Sequence, residues 1–132
     1  MFVDKNLMIS NGQALTDTDV SEYSINMGAA RKIGAGKQMY MVILIDVLAA
    51  DLTSINFQVV TDTLATLASP TVQIETGAIG YASLTAGRAP IIIPIGSAIG
   101  TEEQYLGMQY TCSDAGTCTV TAFLAFEYQS NV

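Results

Sequence analysis

The sequence predicts an all-β fold: a jelly-roll-like antiparallel β-sandwich of about eight strands. Three observations carry that expectation. Short segments with apolar residues at alternate positions recur along the chain, separated by glycine, proline and small polar residues. Helical periodicity is weak throughout; residues 62–69 could form one short helical turn before Pro70. The chain has 132 residues, half of them hydrophobic, and no linker, low-complexity tract or repeat divides it. A single domain over residues 1–132 follows, with residues 1–9 expected to form a partly extended amino-terminal arm.

Each element has its own signal. Residues 7–15 and 20–27 read as the first two strands, joined by the polar run Thr16-Asp17-Thr18-Asp19. A glycine-rich connection over 28–36 leads to residues 39–48, which are apolar in both phases. Such a strand is buried on both faces or lends one face to assembly. Residues 49–53 turn the chain into 55–63, where Phe57 and Val59 share one phase and Asn56 and Gln58 the other. Residues 71–76 place Val72 and Ile74 inward, and 77–84 read as a short strand or turn. Pro94 lacks a backbone N–H, which puts strand 91–95 at a sheet edge or a bulge.

The last two strands, 104–112 and 118–128, alternate over the greatest length. Leu106, Met108, Tyr110 and Cys112 face the core from one, and Cys118, Val120, Ala122, Leu124 and Phe126 from the other. The spacer Ser113-Asp-Ala-Gly-Thr117 reads as a hairpin loop. Cys112 and Cys118 should then face each other across the hairpin base. A disulfide fits that arrangement; two buried thiols suit a reducing cytoplasm.

Composition excludes several functions. Only 13% of residues are charged, about half the usual quarter, so part of the folded surface is expected to be hidden in an assembly. A net charge of −7 repels phosphate backbones, which argues against nucleic acid as a partner. The chain has no histidine, the commonest general base and transition-metal ligand, so neither an enzyme nor a metal or cofactor site is expected. No apolar run reaches the ~18 residues of a membrane span. The opening Met1-Phe-Val-Asp-Lys-Asn6 does not read as a signal peptide, so folding in a cytoplasm is expected.

Several individual motifs have plainer explanations. Lys32-Ile-Gly-Ala-Gly-Lys37 approaches a phosphate loop, but Arg31 stands where glycine is needed and Gln38 where Ser or Thr would bind magnesium. Arg31, Lys32 and Lys37 are three of five cations, and their clustering suggests docking on an acidic partner surface. Asp17, Asp19 and Glu22 lack the spacing of a calcium loop and suit turn chemistry better. Glu102-Glu103 and the pair Asp46/Asp51 could serve a glycosidase only at a separation that sequence does not give. Sugar binding usually needs exposed aromatic platforms; there is no tryptophan, and the candidates are Tyr23, Tyr40, Tyr81 and Tyr105.

Ser10-Asn-Gly-Gln13-Ala14-Leu15-Thr16, Ser21, Ile25-Asn-Met-Gly28 and Ile33-Gly34-Ala-Gly36 resemble the opening of the small capsid cement (decoration) proteins of tailed bacteriophages, of the Bordetella-phage type. Leu84-Thr-Ala-Gly87, Pro94, Tyr105-Leu106-Gly107 and Thr121-Ala-Phe-Leu124 to Gln129 continue the resemblance in the same order. It implies a jelly-roll structural protein on the outer surface of an icosahedral head, cementing neighbouring major capsid proteins as a homodimer or homotrimer. Expected contacts to the capsid are Arg31, Lys32, Lys37, Phe2 and Val3, and the expected oligomer interface includes Met39 and Met41. The alternative is a carbohydrate-binding, adhesin-like sandwich on a virion appendage.

Overall fold

Alternating side chains give every strand one apolar face, and two such faces bury each other when sheets stack. In the computed structural model, which describes residues 4–28, 39–95 and 103–126, the chain does this with nine strands. They are β1 (Met8–Leu15), β2 (Asp19–Val20), β3 (Ile25–Asn26), β4 (Met39–Ala50), β5 (Ser54–Asp62), β6 (Thr71–Gly80), β7 (Ile91–Ile95), β8 (Tyr105–Cys112) and β9 (Thr117–Ala125). Two 3-10 turns, Lys5–Leu7 and Tyr81–Ser83, complete the regular structure of the described residues.

One sheet has the order β1-β9-β4-β7 and the other β2-β8-β5-β6, with β3 also paired to β8; every pairing is antiparallel. The pairs are nested. Strand β5 joins β6, β4 joins β7, β2 and β3 join β8, and β1 joins β9. A long antiparallel ribbon wrapped into two facing sheets has this pattern, and it is a jelly roll. Strands β2 and β3 share one edge position against β8, so nine strands fill eight places.

The core lies between the sheets. Met41, Ile43 and Ile45 of β4 and Val120, Ala122 and Leu124 of β9 meet Ile55, Phe57 and Val59 of β5 and Leu106, Met108 and Tyr110 of β8. At its centre the Phe57 and Tyr110 rings pack edge-to-face, 5.9 Å apart and inclined by 82°. Leu84, fully buried, plugs the core from the connection after β6.

The expected closing hairpin is corrected. Strands β8 and β9 stand in different sheets, and residues 113–116 cross between them. A hairpin would turn both apolar faces to the same side of one sheet. The crossover sets them opposite each other instead, so each supplies a wall of the core. Cys112 and Cys118 therefore approach from opposite sheets; both are buried and both are free thiols.

Smaller departures have equally local causes. Strand β9 ends at Ala125, so Phe126 leaves the inward phase and is half exposed. Residues 63–69 make turns and no helix, because Asp62 binds their amides. Strand β6 runs on to Gly80, with bulges opposite Asn56/Gln58 and Val59/Val60 that suit an exposed edge. Val72, expected inward, is outward and 42% exposed, because the second bulge shifts its phase. Strand β7 carries Pro94 and lies at the sheet edge, as the missing N–H requires. Met8 and Ile9, assigned to the amino-terminal arm, already belong to β1.

Candidate functional surfaces

The open side of the sandwich, where β1 and β2 face each other, is closed by hydrogen bonds as well as apolar contact. Strand β1 carries an extra residue there: Ser10 opposes Ala122 and Gln13 opposes Val120, with Gly12 at φ +61° forming the bulge. The bulge turns Ser10 and Gln13 toward the second sheet. Ser10 Oγ donates to Gln13 Oε1 at 2.7 Å, which uses its one proton. Tyr110 OH, 2.7 Å away, must then be the donor to Ser10 Oγ. Gln13 Oε1 also accepts from the Glu22 amide, and Gln13 Nε2 donates to the Val20 carbonyl. Burial raises the Tyr110 phenol far above its ordinary pKa, keeping it a neutral donor.

Ser21 is the second polar link. Its Oγ donates to the Tyr23 carbonyl at 2.8 Å and accepts from the Met108 amide at 3.1 Å. Residues Ser10, Gln13 and Ser21 are thus polar residues that join edges of the sandwich. Their short motifs in the sequence have a structural meaning.

One end of the jelly roll gathers the turns after β1, β4 and β8. Asp114 accepts from the Thr53 amide at 2.8 Å and from Ser113 Oγ at 2.7 Å, while Ser113 Oγ accepts from the Ser54 amide. These bonds, led by that of Ser113, hold the Asp114 carboxyl below its ordinary range. Asp17 and Asp19 accept from the Thr18 and Thr16 amides, which is turn chemistry. No three His, Cys, Asp or Glu side chains among the described residues are grouped as metal ligands would be.

At the other end, Asp62 organises the turn between β5 and β6. Only 3% exposed, it accepts from the amides of Ser69, Thr63 and Leu64 at 2.8, 2.6 and 3.3 Å. The Ser69 bond is the largest cause of its lowered pKa and, with the other amide bonds, outweighs its desolvation. A folded pKa below 3.8 means the carboxylate stabilises the fold above that value. Its contribution is expected to fall away as pH drops from 3.8 through the lower folded value. Replacing Asp62 with Asn should shrink the acid dependence of the unfolding midpoint by about one proton. Denaturant melts between neutral pH and pH 2 would measure this.

The same turn places Leu67, with φ +52° and 1% exposed, over the outer face of Gly107. A side chain at 107 would overlap Leu67 Cδ1 and approach Ser21 Oγ to 2.9 Å. Gly107 is therefore part of a small outer cluster with Leu67.

Met41 is fully buried inside the sandwich and Met39 is half-buried against the core, so the expected use of Met41 at an oligomer surface is corrected. In the other phase of β4, Val42 is fully buried as well, beside Phe123 of β9, so the strand is covered on both faces there. Phe2, Val3, Arg31, Lys32 and Lys37 lie outside the described residues. The chain reaches Gly28 and resumes at Met39, both at the end marked by Asp62 and opposite Asp114. Tyr23 and Tyr81 are exposed, whereas Tyr40 and Tyr105 are half-buried.

Burial raises the Cys112 thiol to about 11, helped by the negative charges of Asp19, Asp17 and Asp114. Cys118, which donates to the Val47 carbonyl, is also raised to about 11 by burial, with Asp46 adding to it. Raised thiol pKa values favour the fold below 9.0, and that stability is lost as pH climbs toward about 11. At pH 8 both cysteines should react with iodoacetamide much more slowly in the folded chain than in urea, as mass spectrometry would record.

The described structure is thus a two-sheet jelly roll whose polar residues mostly serve turns and sheet-to-sheet contacts. The chain belongs to the Bbp16 family, whose model matches residues 9–126 and whose name points to a protein of a Bordetella phage. The matched segment begins within β1 and ends just after β9. No curated protein matches the chain.

Proposed function

We propose that this protein is a structural component of a phage head that binds the outer capsid surface and cements neighbouring major capsid proteins. Its membership of the Bbp16 family over residues 9–126 carries the proposal. The jelly roll, the sparse charge and the lack of histidine support a structural role without catalysis, metal or cofactor. The net charge of −7 also limits competition for packaged DNA.

Cementing acts by linkage. A protein that binds only the assembled lattice adds its binding free energy to each joint, and many copies raise the work of separating capsomers. A homodimer or homotrimer on a symmetry axis would let equivalent subunits hold equivalent neighbours. Arg31, Lys32 and Lys37 supply positive charge for an acidic capsid patch, and Phe2 and Val3 supply apolar contact.

Quantitative mass spectrometry of purified virions tests this directly. A copy number comparable to that of the major capsid protein is expected, together with loss of the chain from heads when all three cations are reversed to glutamate. A few copies per particle, found with the tail fraction, would reject the cement role. Heads stripped of the protein should also rupture at lower temperature than decorated heads.

A further inference from the structure

Beside β1 lies an open depression of about 530 Å³ that no inter-sheet contact uses, lined by Lys5, Asn6, Met8, Asn11, Tyr23 and Ser24. Its volume is within the usual range for a small-molecule site. Three separate segments meet there: the turn Lys5–Leu7, the bulged part of β1 and the connection between β2 and β3.

Hydrogen bonds tie down the backbone segments that carry the lining. The Tyr23 amide donates to the Ile9 carbonyl at 2.9 Å, and the Tyr23 carbonyl accepts from Ser21 Oγ. Ser24 Oγ donates to the Ala65 carbonyl. Asp4 caps the Lys5–Leu7 turn through the Asn6 amide, and Gly12 beside Asn11 donates its amide to Thr121 Oγ1. Yet the side chains of Lys5, Asn6, Asn11 and Tyr23 make no hydrogen bond within the described protein. Tyr23 is 60% exposed, so it contributes little to the core. A fixed frame presents an aromatic ring, two carboxamides and an ammonium group, all uncommitted.

The geometry points to a saccharide site selective for sugars that carry a carboxylate. The C–H face of a pyranose ring would stack on Tyr23 as an apolar surface does on an aromatic ring. Asn6 and Asn11 offer both donors and acceptors to hydroxyl groups. Lys5 is the one charged group of this lining, and its ammonium would pair with a sugar carboxylate at contact, whereas repulsion from the net −7 acts over longer distances that salt screens. An extended peptide added to the edge of β1 would need the Ile9 carbonyl, which the Tyr23 amide already occupies. Preorganisation limits the ordering cost that would otherwise weaken so small a site. The site does not depend on the cement role.

The full chain, isotope-labelled, would be titrated by NMR with a tetrasaccharide of alternating glucuronate and N-acetylglucosamine. Saturable shifts are expected at residues 5, 6, 11, 23 and 24. Tyr23→Ala should weaken binding about tenfold, with Tyr23→Phe keeping most of it. Lys5→Gln, or reduction of the sugar carboxylates to alcohols, should weaken it about fivefold at low salt. Both positions are on the surface, so unchanged unfolding midpoints would confirm intact folds. The proposal is overturned by absence of saturation, by equal binding of the Tyr23→Ala variant, or by a hexaglutamate peptide that binds the same residues as tightly.

Discussion

Gly116→Ala is expected to destabilise the protein by about 3 kcal/mol, lowering its melting temperature by about 10 °C. A Cβ at this position would stand 2.5 Å from the Ala50 carbonyl oxygen and 2.8 Å from both the backbone nitrogen and the Cβ of Leu52. Two of these are backbone atoms of the turn between β4 and β5, which Thr53 and Ser54 tie to Ser113 and Asp114. The turn cannot retreat without breaking those bonds, and the Gly116 amide is itself committed to the Thr16 carbonyl at 3.1 Å. Gly107→Ala is the control. Its new methyl would meet the tip of Leu67, a side chain that can rotate, and Ser21 Oγ at 2.9 Å but no backbone atom, so a smaller cost of about 2 kcal/mol is expected. Thermal melts of the two variants compare them directly. Equal losses would show that the crossing of residues 113–116 is not the rigid contact proposed.

Tyr110→Ala should be the most damaging single truncation of the core, at about 4 kcal/mol. The ring is fully buried and packs edge-to-face on Phe57, so its removal leaves a large cavity between the sheets. Tyr110→Phe separates packing from hydrogen bonding. It keeps the ring but leaves Ser10 Oγ without its buried donor, and about 1–2 kcal/mol is expected. Ser10→Ala should cost a similar amount, because the phenol is then buried unpaired. The double variant Ser10→Ala/Tyr110→Phe should cost less than the sum, since both changes break one network. Denaturant midpoints for the four proteins would close this cycle; strict additivity would mean that Ser10 and Tyr110 act independently.

Most strand positions were legible from alternation alone, because the two-residue period is a property of each segment. The bounds and edge position of strand β7 are legible in Ile91-Ile-Ile-Pro-Ile95. The β1 bulge is not, although Asn11-Gly12 inside an apolar run is the usual sign of one. That signal would also have located Ser10 and Gln13 between the sheets. Leu67 was invisible for another reason: its positive φ and its place over Gly107 depend on Asp62 folding the turn back. The depression at Tyr23 needed three segments distant in sequence, of which only the exposed tyrosine was foreseen.

Sequence by itself determined the all-β class, the approximate strands, the edge role of Pro94 and the lack of imidazole chemistry. These follow from residue type and local period. Tertiary structure decided that β8 and β9 face each other across the core instead of pairing, and so placed Cys112 and Cys118 on opposite sheets. It also buried Met41, whose strand read equally well as a core or an interface element. The physical reason is common to both. Alternation says which face of a strand is apolar, but only long-range hydrogen bonding and packing select the sheet that strand joins and what its apolar face meets.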